Sequence, residues 1–403
     1  MSETLTIGFL PLVDAALPIL AHELGYAEDE GVALSFVRDT SWATVLDRLL
    51  YGHCDAAHLL APLAIATTLG LGRPARGMAV PFVLGLNGNA VTLSTALARQ
   101  VKAPSGLGDP RAVGARLKQV IAERPARLGP LRLGVVHRFS SHNYMLRYWL
   151  AECGIMPDRD VAIVTIPPPF AADALAAGEV HGICVGEPWN SVAVERGVGE
   201  IVLATAQIWR RGVEKVLAMP ADRLESRRDA VERMIRAMRR AGQDFIDPQR
   251  QQANAAILAR AHYLDGDARL IERAIADRLL IARGGETVDF PDFMFQYREA
   301  ANFPWQSQAQ WLYSQLLRWE GMPFDANQAQ QAARVFRPDV YRAALANVDH
   351  GLPGASSKVE GSVAGELPVG TATGRLILGD DRFFDGRMFD PDHIQDYLTA
   401  LPG

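Results

Sequence analysis

The chain has 403 residues, of which 49% are hydrophobic and 22% are charged, and its formal net charge is -5. One hydrophobic core rarely serves a chain of this length, so we expect two domains. The slightly acidic balance argues against direct binding of nucleic acid, because proteins with that task concentrate Lys and Arg on one face.

The N-terminal residues contain neither the basic region nor the apolar core of a secretion signal, and no run of about 18 apolar residues could span a membrane. We therefore expect a cytoplasmic protein with no membrane segment. The cysteines Cys54, Cys153 and Cys184 lie far apart, which favours small buried residues over a disulfide framework. No phosphate-binding loop, nucleophile elbow or zinc motif occurs, so we expect no cofactor, no metal site and no enzymatic activity.

Strand and helix signals alternate from the start of the chain. Strands are predicted at Leu5–Leu10, Val32–Val37 and Ala56–Leu60. Helices are predicted at Ala15–Leu24 and from a cap at Thr40 or Ser41 to about Tyr51. This alternation favours a mostly parallel sheet with helices on its faces.

A second alternating region follows a predicted crossing at residues 76–94. Its predicted helices and strands are Arg111–Glu123, Leu131–Val136, Asn143–Cys153, Val161–Ile166, Phe170–Ala177 and Gly182–Val185. Strands predicted at Ile201–Thr205 and Val216–Met219 then lead back. We therefore expect residues 1–88 and 206–350 to form lobe 1 and residues 89–205 to form lobe 2.

The remaining chain to about residue 347 is predicted to be mainly helical. Arginines line one face of the helix predicted within residues 222–247, where a solvated surface is expected and a partner surface is the alternative. Residues 351–374 are rich in Gly, Ser, Pro and Val and are predicted to be a flexible, exposed arm. Residues 375–403 are predicted to dock back on the body.

Three junctions between strands and helices could hold a ligand, because ligands gather where helix N-termini point N–H groups outward from a sheet. Trp42 lies in a first helical turn and is either a core residue or an aromatic wall. His142 follows the possible caps Ser140 and Ser141 and is either a surface residue or a hydrogen-bond donor. The third junction is the segment 186–190, followed by the pair Glu214-Lys215. Lys215 is one of four lysines in an arginine-rich chain, which indicates a need for a compact ammonium unless it is there by chance. His58 is expected to be an ordinary core or surface histidine.

Several segments carry a family resemblance: Ser41-Trp42-Ala43 and the stretches 55–62, 145–151, 166–169 and 184–190. Together they resemble the nitrate- and bicarbonate-binding proteins of ABC transporters. The resemblance implies an α/β fold of the type II periplasmic-binding-protein class, with two lobes joined by two crossings around a ligand cleft. Members of the family bind their ligand and do not convert it.

The resemblance also implies individual roles. Trp42 matches the cleft tryptophan of the family, His142 its anion-contacting histidine and Lys215 its ligand-pairing lysine. The cleft glutamine of the family falls on Val91, which has no polar side chain, so the neighbouring Asn87 or Asn89 are candidate substitutes. Ser141, beside His142, completes the predicted ligand-binding set.

A chain without an export signal resembles the cytoplasmic nitrate/nitrite sensors of this family, the NasS branch. The resemblance implies an ANTAR-domain RNA-binding antiterminator as protein partner, which the sensor holds until the anion changes the lobe arrangement. One alternative is the substrate-binding component of an ABC transporter for nitrate, nitrite or bicarbonate. Another is an enzyme like the thiamine-pyrimidine synthases, against which the scattered cysteines count.

The chemistry of the predicted set favours nitrate or nitrite as the ligand. Nitrate is a planar monoanion that accepts hydrogen bonds and donates none, which suits an ammonium and an imidazole N–H. Bicarbonate also donates a proton, and its binders in the family place an acid where this chain has Lys215.

Overall fold

The computed structural model describes residues 3–101, 106–349, 351–371 and 374–402. Its strands are β1 (Glu3–Phe9), β2 (Val32–Arg38), β3 (Ala56–Leu60), β4 (Met78–Asn87), β5 (Asn89–Ser94), β6 (Leu131–Val135), β7 (Val161–Thr165), β8 (Gly182–Gly186), β9 (Gly199–Ala204), β10 (Val213–Pro220), β11 (Arg278–Leu280), β12 (Thr287–Asp289), β13 (Met294–Phe295), β14 (Leu367–Val369) and β15 (Leu376–Leu378).

Helices cover both large sheets and connect most of the strands. They are α1 (Ala16–Glu23), α2 (Tyr26–Asp29), α3 (Trp42–Leu50), α4 (Ala61–Thr68), α5 (Thr95–Val101), α6 (Pro110–Glu123), α7 (Ser141–Glu152), α8 (Ala171–Ala176), α9 (Trp189–Glu195), α10 (Ala221–Ser226), α11 (Arg228–Ile246), α12 (Gln251–Leu258), α13 (Ala268–Ile275), α14 (Gln306–Glu320), α15 (Ala326–Val335), α16 (Pro338–Leu345) and α17 (Ile394–Thr399). Among the described residues, no helix combines the length and apolar character needed to cross a membrane.

Two separate sheets form the centres of two α/β lobes. The sheet of lobe 1 has the order β13-β4-β10-β3-β1-β2, and the sheet of lobe 2 has the order β7-β6-β8-β5-β9. Every residue of β4 and of β10 is buried, as expected for central strands covered on both faces.

The sheets are mixed, whereas the sequence favours a mostly parallel arrangement. In lobe 1, β1 pairs with β2 and β3 in parallel, but β10 runs antiparallel to both β3 and β4. In lobe 2, β6 is parallel to β7 and β8, but β5 is antiparallel to β8 and β9. The reason is that β5 and β10 enter their sheets from the other lobe, opposite in direction to the strands that arise from local strand-helix-strand units.

Two crossings join the lobes side by side. The first is a single residue, Gly88, between β4 and β5, and its φ of 81° suits glycine. The second runs from Thr205 to Gly212 between β9 and β10. Asn87 ties the crossings together, because its Nδ2 donates to the Arg210 carbonyl at 2.8 Å and its Oδ1 accepts from the Gly212 amide at 3.2 Å.

Residues 351–371 differ from the predicted exposed arm. Glu360 is fully buried, where its Oε1 accepts a 2.6 Å hydrogen bond from Ser307 Oγ on α14. Lys358 Nζ contacts both Glu360 Oε2 and Asp381 Oδ2 at 2.5 Å. This ionic cluster anchors the middle of the segment to α14, whereas residues 364–368 are exposed. Ala372 and Thr373 of the predicted arm lie outside the described residues.

The C-terminal segment packs on both lobes. The Phe383 ring stacks on Trp209 of the second crossing with ring centroids 4.8 Å apart. Tyr148 of α7 in lobe 2 donates its hydroxyl to Asp385 at 2.7 Å, and Trp311 of α14 donates its indole N–H to the Tyr397 hydroxyl at 3.1 Å. Residues 383–397 therefore contact lobe 2, the crossing and lobe 1 together.

The arginine face of α11 is engaged within the chain. Arg236 pairs with Glu30 at 2.6 Å, Arg239 with Asp349 at 2.6 Å, and Arg240 with Asp29 of α2 at 3.0 Å. These arginines therefore hold neighbouring segments together, which weakens the alternative of a partner surface.

Candidate functional site

The candidate site lies where β10 of lobe 1 faces the start of α7 of lobe 2. Neighbouring residues of a strand normally point to opposite faces, yet Glu214 and Lys215 approach each other, with Glu214 Oε1 3.2 Å from Lys215 Nζ. The pairing of β10 with β4 shifts register on either side of Lys215. Such bulges turn side chains away from strict alternation, which is why both charged groups reach one place.

Lys215 is almost fully buried and is surrounded by acids. Its Nζ lies 2.9 Å from Asp14 Oδ2 and 3.2 Å from Glu214 Oε1, and its own side chain is 1% exposed. Burial alone would lower the pKa of Lys215, but the charges of Asp14 and Glu214 outweigh burial and raise it. The ammonium is thus the stable form.

Asp14 and His58 extend the charged network on the lobe 1 side. Asp14 follows β1 in a short 3-10 turn, and its Oδ1 lies 2.8 Å from His58 Nε2 on β3. Burial would raise the pKa of Asp14, but the nearby Lys215 and His58 hold it well below its usual range. The Asp14 carboxylate therefore has a partner at each oxygen, Lys215 at Oδ2 and His58 at Oδ1.

Trp42 forms one wall of the site. It is the first residue of α3, capped by Ser41, whose side chain accepts from the Thr44 amide at 3.2 Å. The indole ring meets the His58 ring edge-on at 5.2 Å, and Lys215 Nζ lies 5.7 Å from its centroid. The structure therefore brings the predicted Trp42 and Lys215 together.

His142 and Ser141 supply the wall from lobe 2. The helix α7 begins at Ser141, two residues earlier than predicted, because Ser140 is its cap and accepts from the Asn143 amide at 3.3 Å. His142 Nδ1 lies 2.6 Å from Glu214 Oε1, the same oxygen that contacts Lys215. The His142–Glu214 bond is therefore a polar link between the two lobes.

Several buried polar atoms around Lys215 have no hydrogen-bond partner within the protein. They are Trp42 Nε1, His58 Nδ1, Ser141 Oγ, His142 Nε2, Glu214 Oε2 and Lys215 Nζ, the last of which has ion pairs but no well-angled hydrogen bond. Buried polar groups in proteins are nearly always bonded. Such a concentration of polar atoms, contributed by both lobes and including the obligate donors Trp42 Nε1 and Lys215 Nζ, suits a small polar ligand that accepts hydrogen bonds.

The asparagines predicted as substitutes for the family's glutamine behave differently from each other. Asn87 uses its side-chain amide on backbone groups, including the Asp292 carbonyl at 2.9 Å, so the structure gives it a role in the crossings. Asn89 is 1% exposed and its Oδ1 has no partner. Val91 pairs with Cys184 and Leu203 inside the lobe 2 sheet and brings only an apolar surface. Asn89 thus remains the candidate substitute.

Sequence reasoning missed Asp14, noted Glu214 only as the neighbour of Lys215, and assigned His58 no role in a site. Asp14 could have been noticed, because it interrupts an apolar run directly after a strand. His58 lies on a strand whose five residues are all buried, so its ring needed a buried partner. Among the described residues, no group of three or more His, Cys, Asp and Glu side chains is arranged to hold a metal ion.

Two curated relatives align with most of the chain. The nitrate import ATP-binding protein NrtC of Synechocystis is 32% identical over 340 residues, which cover 84% of this chain and 49% of that protein. The bicarbonate transport ATP-binding protein CmpC of Synechocystis is 32% identical over 345 residues, with the same two coverages. The chain thus spans about half the length of these relatives.

A solved structure matches over nearly the full chain. The periplasmic nitrate-binding protein NrtA from Synechocystis superposes with a TM-score of 0.85 at 26% identity, covering 99% of this chain and 98% of that chain. This likeness confirms the periplasmic-binding-protein class of the fold. A model of the NMT1-like family matches residues 1–261. The chain belongs to the NMT1-like family.

Proposed function

We propose that this chain binds nitrate or nitrite between its lobes and does not convert it. The observation that carries the proposal is the set of buried polar atoms without a hydrogen-bond partner at Trp42, His142 and Lys215, drawn from both lobes around one ammonium. A small anion that accepts hydrogen bonds satisfies all three at once. The similarity to a nitrate-binding protein over almost the whole chain supports the same ligand.

The choice between nitrate and bicarbonate rests on donors and acceptors. Trp42 Nε1 can only donate, and the Lys215 ammonium can only donate, so both suit an ion without a proton. Bicarbonate would in addition need an acceptor, for which Asn89 Oδ1 and Glu214 Oε2 are available. The two obligate donors favour nitrate or nitrite, and bicarbonate is the second candidate.

Two cellular roles remain proposals. The relatives named for nitrate binding and import support a substrate-binding component of an ABC transporter. The sensor role, with a cytoplasmic location and an ANTAR-domain RNA-binding antiterminator as partner, rests on sequence resemblance alone and has the weaker support. Co-purification separates the roles: the transporter role requires a stable complex with permease and ATPase subunits, and the sensor role requires an antiterminator that nitrate releases.

Calorimetric titration tests the ligand directly. We expect nitrate or nitrite to bind the wild type, with bicarbonate and alkanesulfonates weaker by at least about tenfold, a difference of about 1.4 kcal/mol. Trp42→Phe keeps the ring but removes the N–H donor, so nitrate affinity should fall several-fold without loss of the fold. Trp319→Phe, a change on α14 outside this site, is the matched control and should bind as the wild type does. If neither nitrate nor nitrite binds, the proposed ligand is wrong.

A further inference from the structure

The hydrogen bond between His142 and Glu214 restricts where protons can sit. Its 2.6 Å length, between Nδ1 and Oε1, requires a proton between the two atoms, because two lone pairs would repel at that distance. With a single proton on the pair, that proton occupies Nδ1 and Nε2 carries only a lone pair. His142 Nε2 is buried without a protein partner.

An anion cannot bind at a bare lone pair. For Nε2 to donate to nitrate, the pair must hold two protons, either as imidazolium with carboxylate or as neutral imidazole with a protonated Glu214. Both forms contain one proton more than the single-proton form of the pair. Resting on the proposed function, we infer that the site takes up one proton together with each nitrate ion and holds it on the His142–Glu214 pair.

The charges of the side chains around the pair also favour the uptake of a proton. Asp14 and Glu214 contribute two negative charges and Lys215 one positive charge, which leaves one net negative charge when the histidines are neutral. A bound monoanion would raise this to two negative charges in a space where these side chains are no more than 6% exposed. Burying uncompensated charge is strongly unfavourable, and one added proton cancels the charge of the anion.

The other titratable groups facing the pair do not replace this proton. Lys215 already carries its proton and Asp14 is held as a carboxylate. Cys184 lies behind α7, where its Sγ approaches the His142 carbonyl at 3.7 Å, and burial raises the pKa of its thiol, so it stays neutral. His137, before α7, accepts at Nδ1 from the Phe139 amide at 3.0 Å, and burial lowers its pKa to about 4. His58 is the remaining site for a proton.

Titration calorimetry in two buffers with different ionisation enthalpies counts the protons. Across a pH series, we expect the uptake to approach one proton for each nitrate bound towards the alkaline end. The dissociation constant should then rise about tenfold per pH unit as pH increases. Nitrate binding with no proton uptake and a constant affinity between about pH 6 and pH 9 would overturn the inference. No nitrate binding at any pH would instead refute the proposed function.

Two histidine variants locate the proton. The amide of His142→Gln donates without titrating, so this variant should bind nitrate more weakly, with proton uptake abolished. His58→Gln is the matched control, since His58 is equally buried against a carboxylate, and it should retain the uptake. Full uptake in His142→Gln, or lost uptake in His58→Gln, would place the proton elsewhere and overturn the assignment. Should His142→Gln bind too weakly to measure, the His58→Gln result alone decides.

Discussion

Lys215 Nζ and Asp14 Oδ2 lie 2.9 Å apart in the interior, where their side chains are 1% and 6% exposed. Glu214 Oε1 is 3.2 Å from the same nitrogen, so one ammonium holds two buried carboxylates. A buried pair contributes little net stability against an apolar substitute, but removal of one partner leaves an uncompensated charge. The ammonium therefore has a structural task in addition to any contact with an anion.

Lys215→Met should lower the free energy of unfolding by about 3–5 kcal/mol, because Asp14 and Glu214 would remain buried and repel each other. Urea denaturation at neutral pH measures this effect. Lys118→Met on the exposed face of α6 is the matched control and should stay within about 0.5 kcal/mol of the wild type. The double variant with Asp14→Asn should recover part of the loss. A Lys215→Met protein as stable as the wild type would show that the carboxylates are protonated.

The buried carboxyl group of Glu187 should make the stability of the protein depend on pH. Burial raises its pKa from 4.5 to about 7, although hydrogen bonds from Ser191 act against this. The pKa of Glu187 is higher in the folded state than in the unfolded state. Its favourable contribution to the free energy of unfolding is therefore complete below about pH 4.5 and is lost as pH rises through 7.

Glu187→Gln should therefore be more stable than the wild type by about 3 kcal/mol at pH 8 and equal to it near pH 4. Unfolding curves at the two pH values test the prediction. Glu123→Gln, on the exposed end of α6, should show no such pH-dependent difference. An advantage of Glu187→Gln that is the same at both pH values would mean that the carboxyl does not titrate between them.

Much of the fold could be predicted from the chain, for local reasons. The strand Ala56–Leu60 has the predicted bounds, and the neighbouring strands differ by one to three residues at their ends. These elements are short apolar runs ended by Gly, Pro or polar caps, and these signals lie within the segment itself. The direction of β5 and β10 could not be predicted, because it depends on which lobe each strand enters.

The candidate site was predictable only in part. Trp42 and His142 lie in first helical turns and Lys215 lies near the start of β10, and the structure brings the three close to Glu214 and His58. The contact of Glu214 with His142 spans 72 residues, and 44 residues separate Asp14 from His58. A charge that cancels another across this distance leaves no periodic signal in the sequence.

Substitution of Phe383 measures how much the packing of the C-terminal segment on the lobes contributes to stability. Its ring is 3% exposed and lies against Trp209 at 4.8 Å and Tyr148 at 5.8 Å. Phe383→Ala should lower the unfolding free energy by about 3–5 kcal/mol through the lost contacts and the cavity left behind. Met388→Ala, at a position 60% exposed in the same segment, should change little. Thermal unfolding of both variants tests this, and equal stability would mean that the segment is not docked.

Asn87 combines a strained backbone with three bonds to neighbouring segments, and substitutions can separate the two contributions. Its φ is 63°, which glycine adopts without cost, and its side chain bonds to Arg210, Gly212 and Asp292. Asn87→Gly should lose about 1–3 kcal/mol of stability, since buried backbone groups lose their partner. Asn87→Ala should lose about 1 kcal/mol more, because alanine also pays for the left-handed conformation. Urea unfolding should therefore rank the wild type above glycine and glycine above alanine. An alanine variant as stable as the glycine variant would show that the backbone relaxes at the first crossing.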